Sequence, residues 1–258
     1  MIITTAGRTN EEMIERALKI SEELSIEYIE RKKRSVLAIQ ELKKDDCIVV
    51  GKERLELYPI GEKEPFFFHP NSAMFRVKRL INGERDPFIE AANLSKGKTI
   101  LDCTLGLASD SIVASFVTAA EGRVTGIEGN QYLAYLVKNG LQSWESGISE
   151  MNQAMRKIEV IGGRSLHFLE TLPDSSYDIV YFDPMFEERI LESDGIKALS
   201  RFAVYEDISN KLIDEALRVA KERVLLKDHF RSSRFDKYNF EVSIRKTSKF
   251  HFGVLKKK

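Results

Sequence analysis

An α/β fold is predicted for this chain: a mostly parallel sheet with helices on both faces, closed by an antiparallel hairpin and preceded by a smaller α+β domain. Three observations lead there. From Thr99 onward, short apolar runs alternate with stretches whose apolar residues recur at helical spacing, the pattern of a parallel sheet covered on both sides. The last two segments, 241–245 and 250–255, alternate in polarity like antiparallel strands joined across Lys246-Thr247-Ser248-Lys249. Residues 1–90 follow a different order of elements and are expected to form their own domain, with 91–258 as the larger one. At 258 residues and 43% apolar content, the chain can bury a full core.

In the N-terminal domain, Ile2-Ile3-Thr4 reads as a short strand. Met13, Ile14, Ala17, Leu18, Ile20 and Leu24 then recur at helical spacing over 10–24, with Thr9 or Asn10 as N-cap. A basic cluster, Arg31-Lys32-Lys33-Arg34, precedes a short helix at 35–42. Strands are expected at Cys47-Ile48-Val49-Val50, Leu55-Glu56-Leu57-Tyr58 and Pro65-Phe66-Phe67-Phe68. Asn71 or Ser72 then caps a helix through Met74, Phe75, Val77 and Leu80. In the larger domain the pattern gives strands at 99–103, 124–128, 158–161, 177–182 and 223–227. Helices fall between them at 109–120, 131–144, 166–172 and 208–220.

Composition narrows the classes of function. Forty basic residues balance forty acidic ones, so bulk charge gives no sign of nucleic acid, although a local patch depends on distribution and not on the sum. Cys47 and Cys103 lie far apart in strand-like contexts, as reduced core residues do. Met1-Ile2-Ile3-Thr4-Thr5 lacks the basic flank and apolar stretch of a signal peptide. No apolar run approaches the roughly 20 residues that cross a bilayer, so a cytoplasmic protein is expected. His69, His167, His229 and His251 show no metal-ligand spacing, and no metal is expected.

The chemistry collects at the predicted strand ends. Asp102, Glu128, the turn 162–165 and Asp183 fall on one edge of the sheet, where doubly wound folds bind ligands. After the first strand, Asp102-Cys103-Thr104-Leu105-Gly106-Leu107-Ala108-Ser109-Asp110 is a small-residue turn flanked by acids. Gly106 permits close backbone approach to a nucleotide-like ligand, with Thr104 and Ser109 in the same turn. Asp102 and Asp110 are candidates to hold an ammonium or to orient water. The competing reading is a tight turn at Gly106 and a helix cap at Asp110. The turn lacks G-x-G-x-x-G, which counts against NAD. Glu128, followed by Gly129, is placed to accept two hydrogen bonds from a ribose diol; an ordinary strand-end Glu is the alternative. Arg164 and Ser165 sit where an adenine is edged, or in a solvated turn. The set points to S-adenosylmethionine (SAM) as cofactor.

Asp183-Pro184-Met185-Phe186 closes the fourth strand. Asp183 and Pro184, as catalytic candidates, offer a carboxylate and a carbonyl to an sp² amine whose lone pair is delocalised into its ring. Hydrogen bonds from the amine to these acceptors draw that pair back toward nitrogen. Phe186, the third catalytic candidate, stacks on the base and fixes it in line with the methyl, a positioning effect. The alternative is a strand that stops because proline cannot continue the ladder.

Together these residues resemble the bacterial small-subunit ribosomal RNA guanine-N2 methyltransferases, a class I methyltransferase family. His69-Pro70-Asn71-Ser72-Ala73-Met74-Phe75-Arg76 is similar to that family's helix ahead of the cofactor domain, and the resemblance runs from about Phe67 to Met185. It implies a Rossmann-like sheet, SAM contacts from Ser109, Asp110, Glu128, Arg164, Ser165 and Asp183, and a guanine in structured RNA as substrate. The chain departs from the family pattern at Ser109, where Arg is usual, at Gly129, where a larger residue is usual, and in the acidic Glu187-Glu188 after Phe186. Arg31, Lys32, Lys33 and Arg34, with Arg8, Arg76, Lys78 and Arg79, are expected to help bind RNA, a solvated surface run being the alternative. Two other functions stay open: methylation of a protein or small molecule, and a non-catalytic RNA-binding assembly factor built on this fold.

Overall fold

The computed structural model describes residues 1–184, 202, 207–245 and 248–257. The chain forms two compact units that divide between His69 and Pro70. The division therefore precedes the helix at 71–81, which the sequence pattern groups with residues 1–90.

The first unit holds β1 (Ile2–Thr5), α1 (Glu11–Leu24), β2 (Glu27–Tyr28), α2 (Val36–Lys43), β3 (Cys47–Val50) and β4 (Leu55–Tyr58). The four strands form one sheet in the order β2-β1-β3-β4, with β1 parallel to both neighbours and β4 antiparallel to β3. Asn10 caps α1 by accepting from the Met13 N–H at 2.9 Å, and Ser35 caps α2 in the same way through Ala38. The expected strand at Pro65 to Phe68 reduces to a single bridge between Phe66 and Leu57. Pro65, with no N–H to donate, ends the ladder on one side.

The second unit begins with α3 (Asn71–Ile81) and α4 (Pro87–Ala92). It continues through β5 (Thr99–Asp102), α5 (Ser109–Thr118), β6 (Arg123–Glu128), α6 (Gln131–Ser143), α7 (Ser149–Arg156), β7 (Glu159–Gly162), α8 (Ser165–Thr171) and β8 (Tyr177–Phe182). It ends with α9 (Asn210–Val219), β9 (Ala220–His229), α10 (Arg234–Lys237), β10 (Glu241–Ser243) and β11 (Phe250–Lys256). α3 is not capped by Asn71 or Ser72: Pro70 takes the cap position, without a side-chain bond.

The seven-stranded sheet has the order β10-β11-β9-β8-β5-β6-β7. Strands β5 to β9 run parallel, while β11 is antiparallel to β9 and β10 to β11. This is the Rossmann-like, mostly parallel sheet with a closing hairpin. The chain leaves β5 toward β6 and β7, then returns to the other side of β5 for β8 and β9. The strand order thus reverses between β5 and β8, and it is at the carboxyl ends of strands at such a reversal that folds of this kind bind ligands.

Packing fixes which side chains lie on each side of the sheet. On one side of the sheet, Leu101, Val180, Phe182, Val224 and Leu226 bury against Leu212, Ile213, Ala216 and Val219 of α9. Side chains alternate along a strand, so Tyr181 and Lys227 lie on the other side. There Tyr181 meets the Phe88 ring of α4 at 4.9 Å. Among the described residues, no helix is long and apolar enough to cross a membrane.

Candidate active site

The β5–α5 turn is shaped from below by Asp102. Its carboxylate accepts from the Thr104 N–H at 3.0 Å and from the Ser111 hydroxyl at 2.7 Å, tying the start of the turn to α5. Asp102 is 2% exposed, and burial raises its carboxyl to about 7 against the lowering effect of those two bonds. Its buried side chain therefore organises the turn from inside the protein. Gly106 adopts φ 49° and Ala108 φ 60°, left-handed conformations that bend the chain into α5. Leu105 fits against β6 because position 126 is glycine: a Cβ there would lie 2.3 Å from Leu105 Cδ1.

Glu128, at the end of β6, meets this turn. Oε2 accepts from the Gly106 N–H at 3.1 Å and Oε1 from the Asn130 N–H at 3.0 Å. Burial raises the Glu128 carboxyl above its ordinary range, and the two backbone donors oppose that rise. A carboxylate has about four lone-pair sites, so one on each oxygen remains for a ribose diol. Gly129 is exposed beside it, and the Gly163 N–H donates to the Glu128 carbonyl at 2.9 Å, drawing the turn after β7 to the same edge. Ser165 is buried, and its hydroxyl donates to the Cys103 carbonyl at 2.5 Å, which fastens α8 to the end of β5. Arg164 is exposed one residue earlier, and Ser109 opens α5 half-buried. A buried acceptor pair beside a glycine backbone and a third strand-end turn fits an adenosyl group.

Asp183 follows β8, half-buried together with Pro184. Its N–H donates to Thr104 Oγ1 at 2.6 Å, so Thr104 links the cofactor turn to the acceptor side. Asp183 Oδ2 accepts from Lys227 Nζ at 2.6 Å, and the same ammonium donates to Asp110 Oδ2 at 3.1 Å. Asp110 also accepts from the Tyr181 hydroxyl at 2.9 Å and from Arg76 at 2.5 Å, while Arg76 forks onto Asp86 at 2.8 and 2.9 Å. Burial alone would raise Asp110, but Lys227 and Arg76 outweigh it and hold the carboxyl well below its usual range. Asp183 goes the other way: burial lifts it, Asp110 adds to the lift, and Lys227 opposes both.

Hydrogen bonds tie Asp183 to Thr104, Gly106 to Glu128 and Ser165 to Cys103 at the strand ends, with Gly129 and Arg164 exposed next to Glu128 and Ser165 in sequence, and Asp102 and Asp110 buried in the same region. Phe186 and Met185 lie outside the described residues. Arg31 and Arg34 belong to the first unit, and their guanidinium groups donate to main-chain carbonyls of Thr5, Arg34, Arg31 and Glu30, leaving Lys32 and Lys33 as the exposed members of that cluster. Arg76, grouped with the RNA-facing cations on sequence alone, is instead engaged by Asp86 and Asp110. Sequence reasoning missed Lys227 and Tyr181 altogether. The available signal was a lysine directly after Val224-Leu225-Leu226, where a buried strand otherwise carries apolar residues.

Comparison with known proteins identifies the family. The family model described as "Putative SAM-dependent methyltransferase" matches residues 31–254. An uncharacterized Bacillus subtilis protein, YpiP, is 48% identical over 254 residues and 98% of both chains. A Coxiella burnetii protein named ribosomal RNA small subunit methyltransferase J is 34% identical over 189 residues, covering 70% of this chain and 71% of its own length. A Legionella pneumophila protein of the same name is 28% identical over 232 residues, 87% and 86% of the two chains. The crystal structure of a SAM-dependent methyltransferase from Neisseria gonorrhoeae shares the fold, with a TM-score of 0.66 at 18% identity over 100% of this chain and 96% of the other. The chain belongs to the SAM-dependent methyltransferase family: it is a class I methyltransferase that uses SAM as its cofactor.

Proposed function

We propose that this enzyme methylates the exocyclic amine of a guanine in ribosomal RNA. The observation that carries the reading is Asp183-Pro184 at the end of β8, the point of strand reversal, anchored through Thr104 to the same turn whose Gly106 N–H meets Glu128. Bound SAM supplies an electrophilic methyl group on a sulfonium. The protein's part is to bind, orient and accept. Glu128 and the Gly106 backbone grip the adenosyl end. Asp183 accepts a hydrogen bond from the amine, and the Pro184 carbonyl is a second acceptor beside it. Those two bonds hold nitrogen in line and localise its lone pair, and positioning of this kind accounts for much of the barrier lowered in such reactions. The relatives named as small-subunit ribosomal RNA methyltransferases support RNA as the substrate class, and a cytoplasmic location goes with it.

Tritiated SAM incubated with small ribosomal subunits, their naked RNA and free nucleotides tests the reading. Label should enter RNA and appear as N2-methylguanine after digestion. Asp183→Ala should abolish transfer while SAM still binds. Label confined to protein or small molecules would reject the proposal. RNA affinity assigned to the first unit rests on Lys32 and Lys33. Alanine at both should flatten the salt dependence of RNA binding by a slope of about 2, one for each phosphate that is no longer neutralised.

A further inference from the structure

An aspartate at the end of a strand could meet an amine without help, yet here it is held by a buried ammonium. Lys227 has a side chain 17% exposed, and beyond its bonds to Asp183 and Asp110 its Nζ lies 5.1 Å from the centre of the Phe250 ring. Burying an ammonium is costly unless it is paired, so a lysine in this place carries a structural or a chemical purpose. Its pairing is asymmetric. Oδ2 of Asp183 is taken, while Oδ1 has no protein partner among the described residues.

We propose that Lys227 is a positioning residue for methyl transfer: by holding Asp183 Oδ2 it keeps the carboxylate ionised and leaves Oδ1 as the acceptor for the amine N–H. This rests on the exocyclic-amine reading above. In the step itself, the amine nitrogen forms the new N–C bond, and the pair of the broken C–S bond stays on sulfur. The proton shed by nitrogen passes to Asp183 Oδ1.

The surroundings explain why the ammonium is needed. The charges of Asp110 on α5 and Asp228 on β9, the latter held by Ser232 and Arg234, act on Asp183 and raise its carboxyl, and Asp183 acts in turn on Tyr181 of β8 and the buried Asp102 of β5. Arg76 of α3 reaches this group only through Asp110, so Lys227 is the one cation in direct contact with Asp183 among the described residues. Removing it leaves a carboxylate half-buried beside other carboxylates, and both burial and like charge favour its protonated form. A protonated Asp183 donates where the amine requires an acceptor.

Lys227→Met removes the ammonium and keeps the bulk. The acid limb of the kcat/KM profile for RNA methylation should move to higher pH by about one unit or more, the usual effect of a neighbouring charge. Activity lost near neutrality should return in alkali, SAM affinity should stay within about threefold (under 1 kcal/mol), and Lys227→Arg should restore the original limb. A uniformly lower rate with an unmoved limb would overturn the proposal, because a packing role predicts that result. A second readout needs no RNA: the ¹³C-carboxyl titration of Asp183, assigned with Asp183→Asn, should shift upward in Lys227→Met. An unshifted titration overturns the proposal too. If the Met variant does not fold, Lys227→Gln, which keeps a neutral donor, gives the same comparison. Failure of the substrate reading is seen separately, as absence of RNA methylation by the unaltered enzyme.

Discussion

Arg76→Ala is the perturbation whose size follows most directly from the structure. The guanidinium makes three bonds to two carboxylates: two to Asp86, at 2.8 and 2.9 Å, and one to Asp110, at 2.5 Å. Its side chain is 18% exposed, those of Asp86 and Asp110 8% and 9%. Solvent therefore replaces little of what the substitution removes. Removing one partner of a buried pair typically destabilises by about 3–5 kcal/mol, because the other is left charged without a counterion. Asp110 keeps Lys227 and Tyr181, and Asp86 still accepts from the Phe88 and Ile89 N–H groups, so the lower half of that range, about 3 kcal/mol, is expected. Urea unfolding near neutral pH measures it, and Arg76→Ala/Asp86→Asn should recover part of the loss. The pH dependence has a fixed sign. Asp110 is depressed in the folded state, so its contribution is complete above the unfolded carboxylate range and disappears as pH falls toward its folded value. The gap between the original chain and the variant should therefore narrow in acid. A loss under about 1 kcal/mol, independent of pH, is what an exposed ion pair gives and would refute the reasoning.

Three further outcomes follow from individual side chains. Glu128→Gln replaces a carboxylate that accepts two backbone donors with a group having one acceptor oxygen, and calorimetry should show SAM binding weakened about 10- to 100-fold, the worth of one charge-assisted bond. Asp102 is raised to about 7 when folded, so the folded chain binds more protons than the unfolded one below that pH, and this group's share of stability falls as pH rises from about 4 to 7. Asp102→Asn should remove that decline, so urea midpoints of the variant gain on the original between about pH 4 and 7, with about 1.4 kcal/mol per pKa unit as the scale; parallel midpoints would count against a buried, protonatable Asp102. Gly126→Ala places a Cβ 2.3 Å from Leu105 Cδ1, and thermal unfolding should show about 1–3 kcal/mol of destabilisation with weaker SAM binding, since Leu105 leads into Gly106.

Elements with a clear period were legible in the sequence. The five parallel strands and the four helices expected between them appear within a few residues of their bounds, because strands buried on both faces leave continuous apolar runs and helices buried on one face leave a period; α7, eight mostly polar residues, was not expected. The misses have physical causes. Strand β9 runs on to His229, past the expected end at 227, because Asp228 is buried by Ser232 and Arg234 where the sequence shows only a charge. Helix α4 is short, and its signal was a cap, Asp86 followed by Pro87 at the first turn, not a periodicity. The strand-end acids were legible as candidates, since topology places strand ends on one edge. Their partners were not. Lys227 stands 44 residues from Asp183 and 117 from Asp110, and Arg76 34 from Asp110, so only the folded chain shows that these charges meet. The same folding withdrew Arg76 from the surface and turned Asp102 inward.

In the proposed site, at the reversal point of the sheet, the adenosyl group lies at Glu128 with its sulfur toward Asp183. A crystal structure with S-adenosylhomocysteine tests it in one measurement. Both ribose hydroxyls should lie within hydrogen-bonding distance of the Glu128 carboxylate, with the ligand backbone against Gly106 and the sulfur opening onto Asp183 and Pro184. A ligand bound elsewhere, or one whose sulfur faces away from Asp183, would contradict it.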